Sequence, residues 1–375
     1  MARVVVIGGG YAGLACLIEL AKKAPQLERH LVDAGAEHCK KTNLHKTFSK
    51  PAKEFMVPYA ELAERFHFSF HQQRLNFAPA ELQCWQAEKK IPLQGAALEF
   101  DWLLISSGAS SSLPPAGENV YGLEHLQAGR GPQLLDGWLK RAAGEKFDIS
   151  FVGGGATGLQ VLFELRELLR KQRVEVGLRL IDLNPRTLPD LPEAAHRYVA
   201  LKLKREGIDY LPENEYHGQL DGEILLKERV NGREYALPSA STLLFPGVLR
   251  APFALPCNPY GQVEIDRKRL QEIFGAGDCA DFAGSGLNLL TAQAAVRKGK
   301  LVAHNIRNLN AGRGLRRYRY QEKAYLLSLG PIDGVGWIGL RCNLFKGFAA
   351  NVLKEAMESQ YDLFLEGVDT YAGFP

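Results

Sequence analysis

Two glycine-rich turns, GGGYAG at residues 8–13 and GGGATG at residues 153–158, occur in this 375-residue chain. Each turn follows a β-branched or apolar run and precedes a pattern typical of an α-helix. The first glycine of such a turn makes the bend, the second lets a pyrophosphate approach the backbone, and the third packs helix against strand. Two turns therefore predict two bound dinucleotides, which suits a flavin and a nicotinamide in an electron-transfer enzyme. The glycines assigned these roles are Gly8, Gly10 and Gly13, and then Gly153, Gly155 and Gly158.

An acidic residue ends the second strand of each unit. Asp33 lies about 20 residues after Gly13, and Asp182 lies at a similar distance beyond Gly158. A carboxylate at this point can accept hydrogen bonds from the ribose hydroxyls of an adenosine. At the second turn it would also repel a 2′-phosphate. Asp182 therefore predicts NADH rather than NADPH, although the basic Arg186 nearby weakens this preference.

Further segments assign the flavin to the first turn. Residues 273–280 form an apolar strand that runs into a Gly-Asp turn, and they resemble the C-terminal flavin motif of flavoproteins with two dinucleotide domains. In that motif the aspartate, here Asp278, binds the ribityl chain, and the helix expected over residues 288–308 points its positive end at the flavin. Residues 100–109 resemble the strand that closes a flavin domain and keep its turn glycine, Gly108. FAD is therefore expected at the first turn and NADH at the second.

The order of these motifs predicts an α/β chain with two Rossmann-like dinucleotide-binding domains, the NADH domain being inserted in the FAD domain. Proline-rich crossings mark the boundaries. Residues 242–248 resemble the strand and turn that lead out of an NADH domain, where Gly247 allows close approach to the nicotinamide. The expected divisions are a first FAD half at 1–112, an NADH domain at 113–250, a second FAD half at 251–335 and a C-terminal helical region at 336–375.

Three local matches beyond the glycine turns make the chain resemble the type II NADH:quinone oxidoreductases. Residues 38–45 are similar to the family segment beside the flavin, which puts Lys41 near the isoalloxazine. Residues 291–297 are similar to the quinone-site helix, with Gln293 facing the acceptor, and residues 326–336 are similar to a family turn. The resemblance implies that NADH passes a hydride to FAD, and that electrons then pass to a quinone-like acceptor.

Two positions depart from that family pattern on the acceptor side. The family's second glycine turn is followed by a glutamate between the nicotinamide and the quinone, and here the residue is Gln160, which carries no charge. The second glutamine of the quinone-site helix is replaced by Arg297, which would attract an electron-rich acceptor or stabilise a quinone oxyanion. The residues expected to act on the acceptor are Lys41, Gln160, Gln293 and Arg297.

The amino-acid composition limits which binding partners and which cellular location are expected. The chain has 46% hydrophobic and 23% charged residues and a net charge of +4, values of an ordinary soluble protein. It has no basic stripe with interleaved aromatics, so nucleic acid is not expected to bind. No metal ion is expected either, because His67 and His71 have no third ligand at a suitable spacing. No apolar stretch reaches the ~18–20 residues of a bilayer span, and the first strand leaves no room for a signal peptide. We expect a cytoplasmic protein, with peripheral attachment to the inner face of the cell membrane left open.

The C-terminal region bears on this attachment. Residues 344–365 predict a helix with apolar side chains on one face and Glu355, Glu358 and Asp362 on the other. Such a helix could lie in a membrane interface, or it could dock on the flavin domain or on the second subunit of a homodimer. The acidic face disfavours anionic lipid, and the sequence leaves both interpretations open.

Other functions of the same fold also remain open. Disulfide reductases need a CxxxxC pair, which the chain lacks. Sulfide:quinone reductases need a cysteine beside the second glycine motif, and no cysteine occurs between Cys84 and Cys257. Reductases similar to apoptosis-inducing factor would fit the 329–336 segment equally well. A redox sensor that binds NADH without turnover would be consistent with Gln160 and Arg297.

Overall fold

A computed structural model describes residues 1–249, 254–284, 288–319 and 321–371. Its first sheet has eight strands, in which Arg3–Ile7 pairs in parallel with Glu28–Asp33 on one side and Trp102–Ile105 on the other. The strand Lys268–Gly275 also pairs in parallel with Trp102–Ile105, so the chain returns to this sheet late in the sequence. The other strands of the sheet are Ser69–Gln72, Leu255–Cys257, Gln262–Ile265 and Ala280–Phe282.

A second sheet forms from residues between the two halves of the first. Its strands are all parallel, and the central Asp148–Val152 is flanked by Gly177–Ile181 and Ser241–Leu244. One face packs on the helix Ala156–Lys171, and the other packs on a small antiparallel sheet. Two Rossmann-like sheets, one interrupting the other, confirm the predicted fold class. The outer strands are Val120–Tyr121 and Asp209–Leu211, and the antiparallel strands are Asn214–Leu220, Glu223–Glu228 and Glu234–Pro238.

Each glycine turn leads directly into a helix. The first-turn helix, Tyr11–Lys23, is buried over most of its length and packs along the helix Ala292–Asn310. A Cβ on Gly299 would lie 2.1 Å from the carbonyl oxygen of Ala12, so the two helices can approach this closely only at a glycine. The second-turn helix is Ala156–Lys171.

The helix Ala292–Asn310 begins later than the predicted residue 288. Asn288 is instead used to close the preceding loop, because its side chain accepts from the Phe282 amide at 2.9 Å and donates to the Phe282 carbonyl at 3.0 Å. The Thr291 hydroxyl then caps the helix by accepting from the Ala294 amide at 3.2 Å. The predicted helix start is therefore wrong.

A third sheet, antiparallel, carries the C-terminal helix Gly347–Leu365. The segment Lys41–Phe48 forms a 3-10 helix that contacts the C-terminal helix and the second-turn helix. Within the parts of the chain that the structure describes, no helix is long and apolar enough to cross a membrane. The strands of the third sheet are Ala324–Ser328, Gly334–Ile338 and Leu344–Lys346. The remaining elements are the helices Ala52–Phe55, Tyr59–Phe66, Pro79–Glu88, Leu123–Gln127, Gly131–Ala142 and Glu193–Arg205, and the short strands Glu37–Cys39, Met56–Pro58, Lys90–Ile91, Leu98–Glu99, Ser110–Ser111 and Val248–Leu249.

The C-terminal helix turns polar side chains inward, unlike the predicted amphipathic helix. Residues 344–346 form a strand, so the predicted helix start is wrong. Lys354 and Tyr361 are buried, whereas Phe348 and Val352 are 68% and 46% exposed. Part of the apolar face of this helix, which was expected to pack on a membrane or on protein, is therefore exposed to solvent.

Ion pairs explain this orientation of the C-terminal helix. The Lys46 ammonium lies 2.7 Å from Glu355 and 2.9 Å from Glu358, and Lys40 lies 3.0 Å from Asp362. Both lysines belong to or adjoin the 3-10 segment Lys41–Phe48. The acidic residues predicted to face solvent therefore dock on a basic segment of the same chain.

Candidate active site

The first glycine turn is shaped by contacts that only glycine permits. Gly8 has a φ of +98°, and a Cβ there would lie 2.4 Å from the Ser106 carbonyl oxygen. A Cβ on Gly13 would lie 2.0 Å from the Gly8 carbonyl oxygen. Asp33 braces the turn, because its Oδ2 accepts from the Gly9 amide at 2.6 Å.

The second glycine turn repeats this construction. Gly153 has a φ of +105°, and a Cβ there would lie 2.1 Å from the Phe245 carbonyl oxygen. A Cβ on Gly158 would lie 2.0 Å from the Gly153 carbonyl oxygen. Asp182 Oδ2 accepts from the Gly154 amide at 2.7 Å, and burial raises the pKa of this carboxyl. The two turns therefore have the same internal bracing.

The middle glycines open onto space that suits a phosphate. A Cβ on Gly10 or Gly155 would meet no atom of the described residues within 4 Å. Both glycines are helix N-caps, and in the described structure neither helix has a side-chain cap. The first amides of each helix are therefore directed at an open cradle, which fits a dinucleotide pyrophosphate.

A buried network holds the backbone of the first turn. The Gly9 carbonyl accepts from the Tyr59 hydroxyl at 2.9 Å and from His38 Nδ1 at 3.0 Å. The Tyr361 hydroxyl of the C-terminal helix donates to His38 Nε2, also at 3.0 Å. This pair of contacts fits the neutral ring with its proton on Nδ1. Burial lowers the pKa of His38 to about 4, in agreement with that form.

Buried neutral histidines make stability depend on pH. His38 and His45 both have a pKa held below its usual value by burial, so the unfolded chain protonates them first as pH falls below about 6.5. We expect each to cost about 1.4 kcal/mol of stability per pH unit on the way from pH 6.5 toward 4. Urea unfolding at a series of pH values measures this slope.

The matched variants for that measurement are His38→Gln and His217→Gln. His38→Gln should flatten the acid slope relative to the wild type, because it removes one of the histidines whose pKa burial lowers. His217 is exposed and should leave the slope unchanged. Equal slopes in the wild type and in His38→Gln would contradict the assignment of a neutral buried ring.

A cavity of about 370 Å³ lies between the two dinucleotide-binding halves. This volume lies in the range of small-molecule sites. Lys41, Asp278 and Gln293 line it from the side of the first turn, and Gln160 lines it from the second-turn helix. The structure thus brings together four residues that the sequence analysis singled out from distant segments.

The remaining predicted residues lie nearby with differing roles. Gly108 and Gly247 have φ values of +78° and +97°, and they lie in the turns that follow the strands Trp102–Ile105 and Ser241–Leu244. Arg297 is not among the residues that line it; its guanidinium lies 5.5 Å from the ring centre of Tyr371, near the end of the described chain. Of the four residues expected to act on the acceptor, Lys41, Gln160 and Gln293 therefore line the cavity and Arg297 does not.

A chain of polar contacts runs from Gln160 to the C-terminal helix. Gln160 Nε2 donates to Ser328 Oγ at 3.1 Å, and that hydroxyl lies 3.2 Å from His45 Nε2. The Lys354 ammonium is 3.4 Å from the same ring nitrogen and 2.5 Å from Glu358 Oε1. Gln160, His45, Lys354 and Glu358 also line the cavity.

The charges along this series of contacts suit Lys354 to donate a proton. Burial lowers the pKa of Lys354, although the Glu358 carboxylate opposes the shift. Burial and the adjacent Lys354 hold the pKa of His45 well below its usual value, so the ring is neutral. A buried ammonium with a lowered pKa, positioned at a cavity wall, can give up its proton to a reduced acceptor.

Sequence reasoning did not single out Ser328, His45 and Lys354, which form this series of contacts. His45 and Ser328 lay inside segments already matched to the family, but neither was assigned a role. Lys354 lies within residues 344–365, which were interpreted only as a helix with an apolar face. A lysine and a glutamate at i and i+4 among apolar residues, as at Lys354 and Glu358, were the available signal.

Thiol chemistry is absent from this cavity. None of the six cysteines is among its lining residues, and all six fall in the described part of the chain as free thiols. Cys279, next to Asp278, is 1% exposed, and burial raises the pKa of its thiol. A buried thiol of raised pKa is a poor nucleophile.

Comparison with known proteins agrees with the two turns and the cavity between them. The model of the pyridine nucleotide-disulphide oxidoreductase family matches residues 2–299. The chain belongs to this family. It is 24% identical to the type II NADH:quinone oxidoreductase of Staphylococcus saprophyticus, covering 98% of this chain and 96% of the relative. It is 25% identical to the enzyme of the same name from Staphylococcus aureus, covering 90% and 89%.

Solved structures share the fold at low identity. The sulfide:quinone oxidoreductase of Aquifex aeolicus superimposes with a TM-score of 0.81 and 17% identity, covering 99% of this chain and 93% of that protein. The NDH2 of Plasmodium falciparum, solved with NADH, gives a TM-score of 0.77 and 13% identity over 100% and 99%. The resemblance to type II NADH:quinone oxidoreductases found in the sequence is thereby confirmed.

Proposed function

We propose that this family member is an FAD-dependent oxidoreductase that takes a hydride from NADH and delivers electrons to a quinone-like acceptor. The observation that carries the proposal is the cavity of about 370 Å³ that residues of both glycine-turn halves line. Two dinucleotides bound at the two turns would direct their reactive ends toward this space. The full-length similarity to type II NADH:quinone oxidoreductases supports the same activity.

The residues at each turn divide the binding between the cofactors. The first turn, with Asp33 bracing it and Asp278 at the cavity, would hold FAD, which supplies the two-electron chemistry when bound. The second turn would hold NADH. Positioning of the nicotinamide and exclusion of water account for hydride transfer without a side-chain acid or base. The assigned residues are Gly8, Gly10, Gly13, Asp33, Lys41, Gly108 and Asp278 for FAD, and Gly153, Gly155, Gly158, Asp182 and Gly247 for NADH.

The acceptor side requires protons as well as electrons. Gln160 stands where the resembled family has a glutamate, so the proton source must lie elsewhere. Lys354 is a buried cation at this wall. It lies 2.5 Å from Glu358 and 3.5 Å from the half-exposed Glu355, and Lys46 pairs with both carboxylates. We assign Lys354 as the proton donor and Gln293 as an orienting group for the acceptor. The ammonium would regain its proton along the Glu358 side.

The test is NADH oxidation by the purified, FAD-loaded protein with a panel of soluble quinones, with sulfide plus quinone, and with a redox dye. Steady turnover of NADH with a quinone is the expected result. Sulfide oxidation should be absent, because the cavity offers no cysteine to carry a persulfide. Flavin reduction by NADH without turnover by any quinone would instead favour a redox sensor and reject the proposal.

We also propose that the protein contacts a membrane surface through its C-terminal helix. Phe348, Val352 and Leu363 lie exposed on the outer side of the C-terminal helix. Apolar side chains arranged this way suit insertion into a lipid interface. We expect the protein to co-sediment with zwitterionic vesicles, and Phe348→Ser should weaken this binding. Leu220→Ser, which changes an exposed leucine of the strand Asn214–Leu220, should not weaken it. Equal behaviour of the two variants would count against attachment through this helix.

A further inference from the structure

The carboxylate at the second turn is directed into the protein. Asp182 is 4% exposed, and it accepts hydrogen bonds from the Gly154 amide, the Asn184 amide and the Asn184 side chain. Asp33 at the first turn is half-buried and accepts from the backbone amides of Gly9 and Gly35. Asp182 is therefore less available to a ribose than its counterpart, and the sequence-based preference for NADH loses much of its physical basis.

The loop after Asp182 is wrapped closely on the second turn. The Leu188 amide donates to the Gly154 carbonyl at 3.0 Å, and Thr187 is fully buried against the same glycine. Residues 183–186 form the exposed outer edge of this loop, at the carboxyl end of the strand Gly177–Ile181. In this fold the adenosine ribose of a nicotinamide dinucleotide lies at that edge.

Two guanidinium groups flank this edge. Arg186 Nη1 lies 2.6 Å from Glu193 Oε2, and its Nη2 donates to the Pro189 carbonyl at 3.2 Å. Arg229 approaches from the antiparallel sheet and donates to the Leu183 carbonyl at 3.3 Å. The side chains of Arg186 and Glu193 are 38% and 54% exposed, so solvent and ligands can reach the pair.

We propose that Arg186 and Arg229 form a subsite for a 2′-phosphate, and that Glu193 pairs with Arg186 when no phosphate is present. The inference rests on the proposed binding of a nicotinamide dinucleotide at the second turn. A guanidinium fork binds phosphate in a bidentate manner and more strongly than it holds an exposed carboxylate. The protein would therefore accept NADPH as well as NADH, and Glu193 would set the balance between them.

The test measures binding of 2′,5′-ADP and of 5′-ADP to the FAD-loaded protein by calorimetry. We expect tighter binding of 2′,5′-ADP, with a loss of about tenfold in Arg186→Ala and no change for 5′-ADP. Glu193→Gln should raise the affinity for 2′,5′-ADP severalfold, because the arginine is released. Arg197→Ala, an exposed arginine on the helix Glu193–Arg205, is the matched control and should behave as the wild type.

The outcomes separate this inference from the proposed function. Equal affinities of the wild type for the two nucleotides, or an unchanged 2′,5′-ADP affinity in Arg186→Ala, would overturn the phosphate subsite even if NADH is oxidised. Failure of 5′-ADP and NADH to bind at all would instead overturn the assignment of the second turn. Steady-state kinetics with NADPH should follow the binding data, with the change appearing in KM.

Discussion

Lys354→Met is expected to slow reduction of the acceptor by about 100-fold or more while NADH still reduces the flavin at the wild-type rate. The variant keeps the length of the side chain and removes the only group at this wall that we assign as a proton donor. Glu358 retains Lys46 as a partner at 2.9 Å, so its carboxylate is not left unpaired. Stopped-flow absorbance separates the two half-reactions, first with NADH alone and then with a quinone added.

Two further variants control for structural damage around Lys354. Lys346→Met removes an exposed lysine just before the same helix and should leave both half-reactions unchanged. Lys354→Arg keeps the charge and the ion pair with Glu358, but its guanidinium does not release a proton at neutral pH. It should retain the fold and the flavin yet remain slow with quinone. Rapid quinone reduction by Lys354→Met would remove this residue from the reaction.

Gly10→Val and Gly155→Val are each expected to weaken the binding of one cofactor. The Kd should rise on the order of 100-fold, which corresponds to about 2.7 kcal/mol of binding free energy. Both glycines have extended backbone angles that valine tolerates, and an added Cβ meets no described protein atom within 4 Å. The branched side chain would instead occupy the cradle where the pyrophosphate lies. Gly10→Val should purify without flavin, whereas Gly155→Val should retain flavin that NADH no longer reduces.

Each of these glycine variants is the control for the other. Flavin content is read from absorbance, and NADH binding is read from flavin reduction. Once flavin has been removed from the wild type and from Gly155→Val, their urea midpoints should match that of Gly10→Val, because the protein packing is unchanged. Loss of flavin from Gly155→Val, or retention of flavin by Gly10→Val, would show that the two cofactors had been assigned to the wrong turns.

The glycine turns were predictable because the information that specifies them is local. Gly8, Gly13 and Asp33 lie within one strand–helix–strand unit. The contact that requires glycine at position 13 and the hydrogen bond of Asp33 arise inside that unit, whereas Gly8 also meets the carbonyl of Ser106 from a later strand end. The return of the chain at Lys268–Gly275 was also predictable, because a separate motif marks it. Turn chemistry and strand patterning were therefore enough to predict the fold and to propose which residues bind the cofactors.

The acceptor side was less predictable because its residues meet only after folding. Gln160, Ser328, His45 and Lys354 come from four separate elements, and no spacing in the sequence relates them. The spacing of apolar residues also predicted the wrong orientation for the C-terminal helix. That spacing gives no information on the ion pairs that the helix forms with Lys40 and Lys46. Arg297 was proposed from a local match, which could not indicate its contact with Tyr371 from the end of the described chain.

The contact between Tyr361 and His38 joins the C-terminal helix to the carbonyl of Gly9, and hence to the loop that would cradle the flavin pyrophosphate. Occupancy of that loop and docking of the helix are thus thermodynamically linked: whatever tightens one must tighten the other by the same free energy. A ligand at the first turn therefore helps to retain the helix that supplies Lys354. Cofactor loading would thereby stabilise the acceptor wall, and loosening of the helix would weaken cofactor binding in turn.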